Sequence, residues 1–276
     1  MAHEPTIGLA LGAGGARGLA HILMMEAFEE LGLRPHKIAG SSIGAIIGAL
    51  YASGKSAREV RSIVDELVLR APDGWKKAFF KKDLFQWIEL VDPEFGRGGL
   101  IRGHAFPAYL CERIEVSRFE DLDIPLAIVA TDFWKYEQVV YESGELQSAI
   151  QGSMAVPGLF TPVRRDNRVL VDGGAVNPVP FDILKDSCEW TVAVSVAGQR
   201  SVKEDFSFLD ALFNTFQIMQ HSILAEKCKN SPPDILVTPR IFDVRSFEFH
   251  KVDSIYTQAL PAKEILKREL ARRMTS

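Results

Sequence analysis

Cysteine is scarce in this sequence: Cys111, Cys188 and Cys228 are the three in 276 residues, and no two stand in CxxC spacing. That excludes a disulfide framework and a zinc ribbon as organising devices and points to a reducing compartment. Long apolar runs are missing too. No stretch of 18 or more apolar residues occurs, so nothing reads as a membrane span. The opening Met1-Ala2-His3-Glu4-Pro5-Thr6 has neither the basic start nor the apolar core of a secretion signal. A cationic excess is also lacking. The formal net charge is −4, without the basic stripe that nucleic-acid backbones require, and the short run Lys77, Lys81, Lys82 reads as one solvated helix face. Repeats, low-complexity tracts and linkers are absent. These absences leave a soluble, cytoplasmic protein that at most touches a membrane surface. One domain over residues 1–276 is expected.

What is present is an alternating pattern. Thr6 to Leu11 is a short apolar run ending in glycines, as buried parallel strands do. Gly12 to Gly18 is a glycine-rich turn, and Leu19 to Leu31 repeats apolar residues at helical spacing until Gly32 stops it. His36 to Gly40 reads as a second strand. Ser42 opens a helix that Gly54 ends, and Ser56 with Glu59 has the spacing of a capping box for a helix to about Arg70. This order begins an α/β fold with a parallel sheet. Residues 72–103, aromatic and basic, break the rhythm and read as a cap-like excursion. Strands are then expected at 124–130, 136–141, 169–171, 191–196 and 234–238, with a helix over 146–154. Two long helices, near 206–228 and 253–273, close the chain.

Three segments carry chemistry. Gly40-x-Ser42-x-Gly44 lies between an apolar strand and a helix, where a tight turn lifts a serine Oγ out of the sheet and crowds the positions two before and two after it. The helix dipole behind Ser42 faces a developing oxyanion. The competing reading is a plain helix N-cap. Gly12-Ala13-Gly14-Gly15-Ala16-Arg17-Gly18 offers backbone N–H groups to an anion. Its glycines fit neither frame of GxGxxG, the Lys-Ser/Thr of a P-loop is missing, and no ribose-binding acid follows the second strand, which disfavours nucleotide binding. A hydrolytic serine needs a base. None of His3, His21, His36, His104, His221 or His250 stands at an obvious late strand end, and His21 reads as structural. Asp172, closing Val169-Leu170-Val171-Asp172-Gly173-Gly174, is the better candidate, against the alternative of a turn-capping Asp-Gly.

In this order the three segments resemble the patatin-like phospholipase family. Gly14, Gly15, Arg17 and Gly18 match its oxyanion loop G-G-G-x-[K/R]-G; Gly40, Ser42 and Gly44 match its GxSxG; Asp172, Gly173 and Gly174 match its D-G-[G/A]. Further similarity lies in Leu19-Ala20-His21, Ala130-Thr131-Asp132, Ser153 to Gly158 and Asn177-Pro178-Val179-Pro180, so the resemblance runs from about residue 6 to 240. It implies a three-layer α/β/α fold with a mainly parallel central sheet, a Ser42–Asp172 dyad without histidine, and no metal or cofactor. Ala13 replaces the first family glycine. The oxyanion hole is therefore expected chiefly at the Gly14 and Gly15 amides, joined by Arg17 as the basic residue that braces the loop and helps to meet the negative charge, with Gly12 preceding it.

The resemblance further implies hydrolysis of a lipid acyl ester (a phospholipid, a lysophospholipid or a neutral ester) through an acyl-enzyme. Two rivals keep the fold: a lipid-binding or regulatory module with an idle dyad, and an acyltransferase or thioesterase using the same dyad. Phe79, Phe80, Leu84, Phe85, Trp87, Ile88 and Leu90 suit an acyl pocket, a membrane contact or ordinary core. The helix bearing Leu212, Phe213, Phe216, Met219, Ile223 and Leu224 reads as a core or dimer face.

Overall fold

The computed structural model describes residues 5–70, 110–198, 208–246 and 248–275. The segment 72–103, and with it the aromatic residues between Phe79 and Leu90, lies outside the described residues. Among the described residues, one sheet holds eight strands: β1 (Ile7–Leu11), β2 (Lys37–Ser41), β3 (Leu126–Asp132), β4 (Glu137–Tyr141), β5 (Val163–Arg165), β6 (Arg168–Asp172), β7 (Trp190–Val194) and β8 (Ile235–Val237). Five of them pair in parallel in the order β3-β2-β1-β7-β8. The described helices are α1 (His21–Glu30), α2 (Ile43–Ala52), α3 (Ala57–Arg70), α4 (Leu146–Ser153), α5 (Phe208–Asn230) and α6 (Val252–Met274). None of them is long and apolar enough to cross a membrane.

Side-chain size separates the two faces of the sheet. Leu9, Leu11, Ile38, Ile128, Val192 and Val194 face the thick layer, where α1, α2, α3, α4 and α6 supply the large hydrophobic core. The alternate positions Ala10, Ala39, Ala127 and Ala193 face the other way and meet Val179, Phe181, Leu184 and Leu224. Successive strand residues point to opposite faces, so the alanine stripe lets the second layer sit close to the backbone. Helices on both faces give the α/β/α layering. At the start of α3 the capping box forms reciprocally: Ser56 Oγ accepts from the Glu59 amide at 3.2 Å, and Glu59 Oε2 accepts from the Ser56 amide at 2.8 Å.

The feature that positions the site is one edge of β3. Residues Leu126 to Val129 pair with β2, while Ala130 to Asp132 pair with β6, which runs antiparallel. β4 pairs with Ile128 to Asp132 and thereby occupies the opposite edge. Two strands running toward each other therefore end nose to nose along the same edge, at Ser41 and at Asp172.

The strand carrying Asp172 runs antiparallel to β3; it arrives from the far end of β3, because its hairpin with β5 turns it round. β5 itself was not expected, since Val-Arg-Arg carries no apolar alternation. The first helix begins at His21, preceded by a tight 3-10 turn over Gly15–Ala20. In α5, expected as a core or dimer face, Leu212 and Met219 are exposed and so belong to no core within the chain, because its inward stripe runs Phe213, Gln217, Gln220, Leu224, Lys227 and is partly polar.

The strand junction is tightly closed. A Cβ on Gly173 would collide with the Val129 carbonyl and lie 2.8 Å from Ser41 Oγ. Gly173→Ala is expected to destabilise the protein by about 3 kcal/mol, as overpacking a closed backbone contact does. Urea denaturation that places the variant level with wild type would contradict the junction described.

Candidate active site

Strand register brings the three motifs to one level. Leu11 stands opposite Gly40, Ser41 opposite Val129, and Ala130 opposite Asp172. Ser42 follows β2 directly and holds φ 54°, ψ −123° before α2 begins. A non-glycine residue at positive φ is strained by about 1–3 kcal/mol and persists only where its surroundings enforce it. Here the enforcement is visible. α2 behind Ser42 is buried along its whole length, and the Ser42 amide donates to Ser153 Oγ at 2.9 Å. The flanking glycines are there for space: a Cβ on Gly44 would run into the Leu11 carbonyl, and one on Gly40 would lie 2.6 Å from Ala45 Cα. Ser41 is fully buried, whereas Ser42 keeps 7% exposure.

Asp172 closes β6 and is 1% exposed. Its Oδ1 accepts from the Gly174 amide at 2.8 Å, while Oδ2 is buried with no hydrogen-bond partner. Burial pushes the carboxyl up from its ordinary 3.8 to about 6; the Ser42 hydroxyl and the Gly174 amide temper that rise. The Ser42 hydroxyl is thus near enough to temper the rise without completing a hydrogen bond to the carboxyl. Backbone contacts fix the aspartate further. Its amide donates to the Ala155 carbonyl at 3.0 Å, and its carbonyl accepts from Thr131 Oγ1 at 2.8 Å.

The short stretch from Ser153 to Ala155 therefore holds both residues, Ser42 through a side chain and Asp172 through the main chain. The sequence singled out Ser153 to Gly158 as a stretch without assigning it this task. No local signal reveals a hydroxyl that meets an amide 111 residues away.

The glycine-rich loop is clamped on both sides. Gly12 N donates to Val194 O at 3.0 Å, Ala13 N to Pro178 O at 2.8 Å and Ala16 N to Ser246 O at 2.7 Å. Between these, the amides of Gly14 and Gly15 have no backbone acceptor among the described residues. Gly15 has φ 59° with the Ser246 backbone pressed against it, a place only glycine fills. Ala13 stands where the second layer approaches: a Cβ on Gly174 would lie 2.8 Å from its own Cβ. Arg17 is 1% exposed and directs its guanidinium to Gln217 Oε1 at 3.3 Å and Val244 O at 3.5 Å, so it braces the loop against α5 and the segment before α6.

His21, fully buried, supports the same loop. Its Nε2 lies 2.8 Å from Gly12 O, and burial lowers its pKa from 6.5 to about 4. Neutral, it carries its proton on Nε2 and donates to that carbonyl, since a carbonyl can only accept. The structural reading of this histidine gains a specific task that spacing alone did not reveal.

Desolvation thus moves the two buried groups in opposite directions. The folded pKa of Asp172 lies above its unfolded value, so its contribution is full at low pH and is lost as pH rises through about 6. The folded pKa of His21 lies below its unfolded value, so stability is lost as pH falls from about 6.5 toward 4. Each effect amounts to about 3 kcal/mol at full extent. Relative to wild type, Asp172→Asn should be most stabilised above about pH 7 and lose that gain toward about pH 4.5, while His21→Gln should improve over the same descent. Thermal melts that give both differences the same slope would contradict these environments.

Comparison with known proteins identifies related families and folds. The patatin-like phospholipase family matches residues 9–185. An uncharacterised NTE family protein of Mycobacterium tuberculosis is 34% identical over 199 residues, which is 72% of this chain and 51% of that protein. Human patatin-like phospholipase domain-containing protein 6 is 31% identical over 198 residues, 70% of this chain and 14% of the relative. The chain spans about half the length, or less, of the curated relatives it matches. Among solved structures, VipD from Legionella pneumophila superposes with TM-score 0.52 at 15% identity, covering 95% of this chain and 67% of that one. ExoU of Pseudomonas aeruginosa, in its complex with SpcU, gives TM-score 0.51 at 17% identity, covering 99% and 53%. At these identities the two structures share the fold alone.

Proposed function

The chain belongs to the patatin-like phospholipase family, and from that premise we propose that it hydrolyses carboxylic esters of lipids, with Ser42 as nucleophile and Asp172 as its base. Family membership supports lipid ester hydrolysis in general terms; the dyad is the finer reading. The observation that carries it is the Asp172 carboxyl, buried, short of one hydrogen-bond partner and next to the hydroxyl of a serine in strained elbow geometry.

The reaction follows from these positions. Ser42 Oγ attacks the ester carbonyl carbon while its proton passes to Asp172 Oδ2, the oxygen with no other partner. Negative charge on the former carbonyl oxygen is met by the Gly14 and Gly15 amides and by the N-terminal end of α2; one such donor contributes about 2.7–4 kcal/mol. Asp172 returns the proton to the departing alkoxide, which leaves as an alcohol and gives the acyl-enzyme. Water then attacks, Asp172 takes its proton, and Ser42 recovers it as the acid departs. A carboxyl whose pKa is raised toward neutrality is a stronger base than an ordinary aspartate yet still ionised at pH 7. A histidine is not required. Arg17 keeps the loop in place, with its guanidinium committed to Gln217 and Val244.

Intact-mass analysis after treatment with a fluorophosphonate probe tests this reading. Wild type should gain one adduct on Ser42, and Ser42→Ala none. Hydrolysis of a water-soluble carboxylic ester should fall by about a thousandfold or more in Ser42→Ala and in Asp172→Asn. A lipid-binding module with an idle dyad would give no adduct in wild type, and undiminished turnover in both variants would remove the dyad.

A further inference from the structure

Beyond Ala130, which lies beside Ser42 and Asp172, β3 continues to Asp132 and turns back into β4 through Phe133, Trp134, Lys135 and Tyr136. The turn begins three residues past the site, about 10 Å farther along the strand direction. Three of its residues are large and aromatic, and they are turned outward: Phe133 is 43% exposed, Trp134 68% and Tyr136 85%. Phe133 and Trp134 stack edge to face with ring centroids 4.8 Å apart.

This exposure does not come from looseness. Asp132 Oδ1 accepts from the Trp134 and Lys135 amides at 3.1 and 3.2 Å. Its other oxygen bonds Arg168 at 3.2 Å, and Arg168 reaches Glu137 at 2.8 Å. The Phe133 amide donates to Val169 O at 2.8 Å and the Tyr136 amide to Asp132 O at 3.0 Å. The rings are therefore presented on a fixed turn, so little further ordering is needed to use them. Among the described residues, no fold contact accounts for three outward aromatic rings at one tip.

We propose that this aromatic tip docks the protein on a phospholipid bilayer. Tryptophan and tyrosine combine an apolar ring with a polar edge, the chemistry of the layer between headgroups and acyl chains. The charges around the tip favour this occupant over an acidic one: Lys135 stands beside Glu137, and Arg168 is paired with Asp132 and Glu137. Ring insertion, rather than attraction to anionic headgroups, then carries the binding. The tip lies beyond Ala130 in the direction in which β2 ends at Ser41, so it stands at the same end of the sheet as Ser42. From the proposed function this inference takes only that the substrate is a lipid.

The test is vesicle flotation of the Ser42→Ala protein, which leaves the lipid intact, with phosphatidylcholine vesicles alone and with added phosphatidylserine. Replacing Phe133, Trp134 and Tyr136 by serine should lower the bound fraction by about tenfold or more, and phosphatidylserine should change wild-type binding by less than about twofold. Tyr136→Gly serves as a second variant. Its backbone sits at φ 59°, which glycine adopts freely, so it removes a ring without straining the turn and should weaken binding severalfold. In the Ser42-intact protein, hydrolysis of a water-soluble ester should not change with either tip variant, while hydrolysis of vesicle phospholipid should fall with the bound fraction. Failure of wild type to hydrolyse any ester would reject the proposed function and leave the flotation result to decide the tip. Equal flotation of wild type and tip variants would overturn the inference. So would a wild type that does not float, or a tip variant that loses self-association in light scattering while still floating.

Discussion

The candidate site depends on one strand edge that two strands share. β2 and β6 approach each other along β3 and stop at Ser41 and Asp172, so two residues far apart in the chain end at adjacent positions of a rigid frame. A parallel strand could deliver an acid only at the far rim of the sheet. An antiparallel one delivers it head-on, inside the sheet edge, where water is excluded. The pKa of Asp172 follows from this, since burial is the larger cause of its rise. Tight backbone contact at Gly173 and the two hydrogen bonds that the Ser42 and Asp172 amides donate to the Ser153–Ala155 stretch keep the ends from drifting.

The same dryness governs the glycine-rich loop. His21 is neutral because it is buried, and being neutral it can hold the Gly12 carbonyl with its single N–H. The loop amides on either side of Gly14 and Gly15 are committed to β7, to the Pro178 carbonyl and to Ser246, and Arg17 is tied to α5. Donors left without a backbone acceptor among the described residues, between clamped neighbours, are preorganised: a developing negative charge would meet them with little reorganisation.

Much of this was legible in the sequence where the governing physics is local. The glycines around Ser42 could be read because a tight strand-to-helix turn crowds its own neighbours, and Gly44 indeed faces the Leu11 carbonyl. Ser56 and Glu59 could be read because a capping box closes within one turn. The parallel core strands followed from short apolar runs. What was not legible is what depends on distant pairing. β5 is three residues with two arginines, and the reversal it imposes on β6 leaves no period in the sequence. The roles of Ser153, Ala155 and Thr131 at the site are contacts across the fold with no local mark. Apolar residues in α5 read as a core or dimer face by count alone, yet its inward stripe carries the half-buried Gln217, Gln220 and Lys227, and Leu212 and Met219 face outward. The alanine stripe of the strands could have suggested the thin second layer, had size as well as polarity been read.

The central claim is that Asp172, held near neutrality by burial, is the base that activates Ser42. The pH dependence of the rate at which a fluorophosphonate probe modifies Ser42 tests it most directly, because no lipid, interface or product release enters. If Asp172 must be ionised to take the serine proton, the second-order rate constant rises with pH and levels off with a midpoint near 6. A rate that is flat from about pH 4.5 to 8, or a midpoint near that of an ordinary exposed carboxylate, would contradict it.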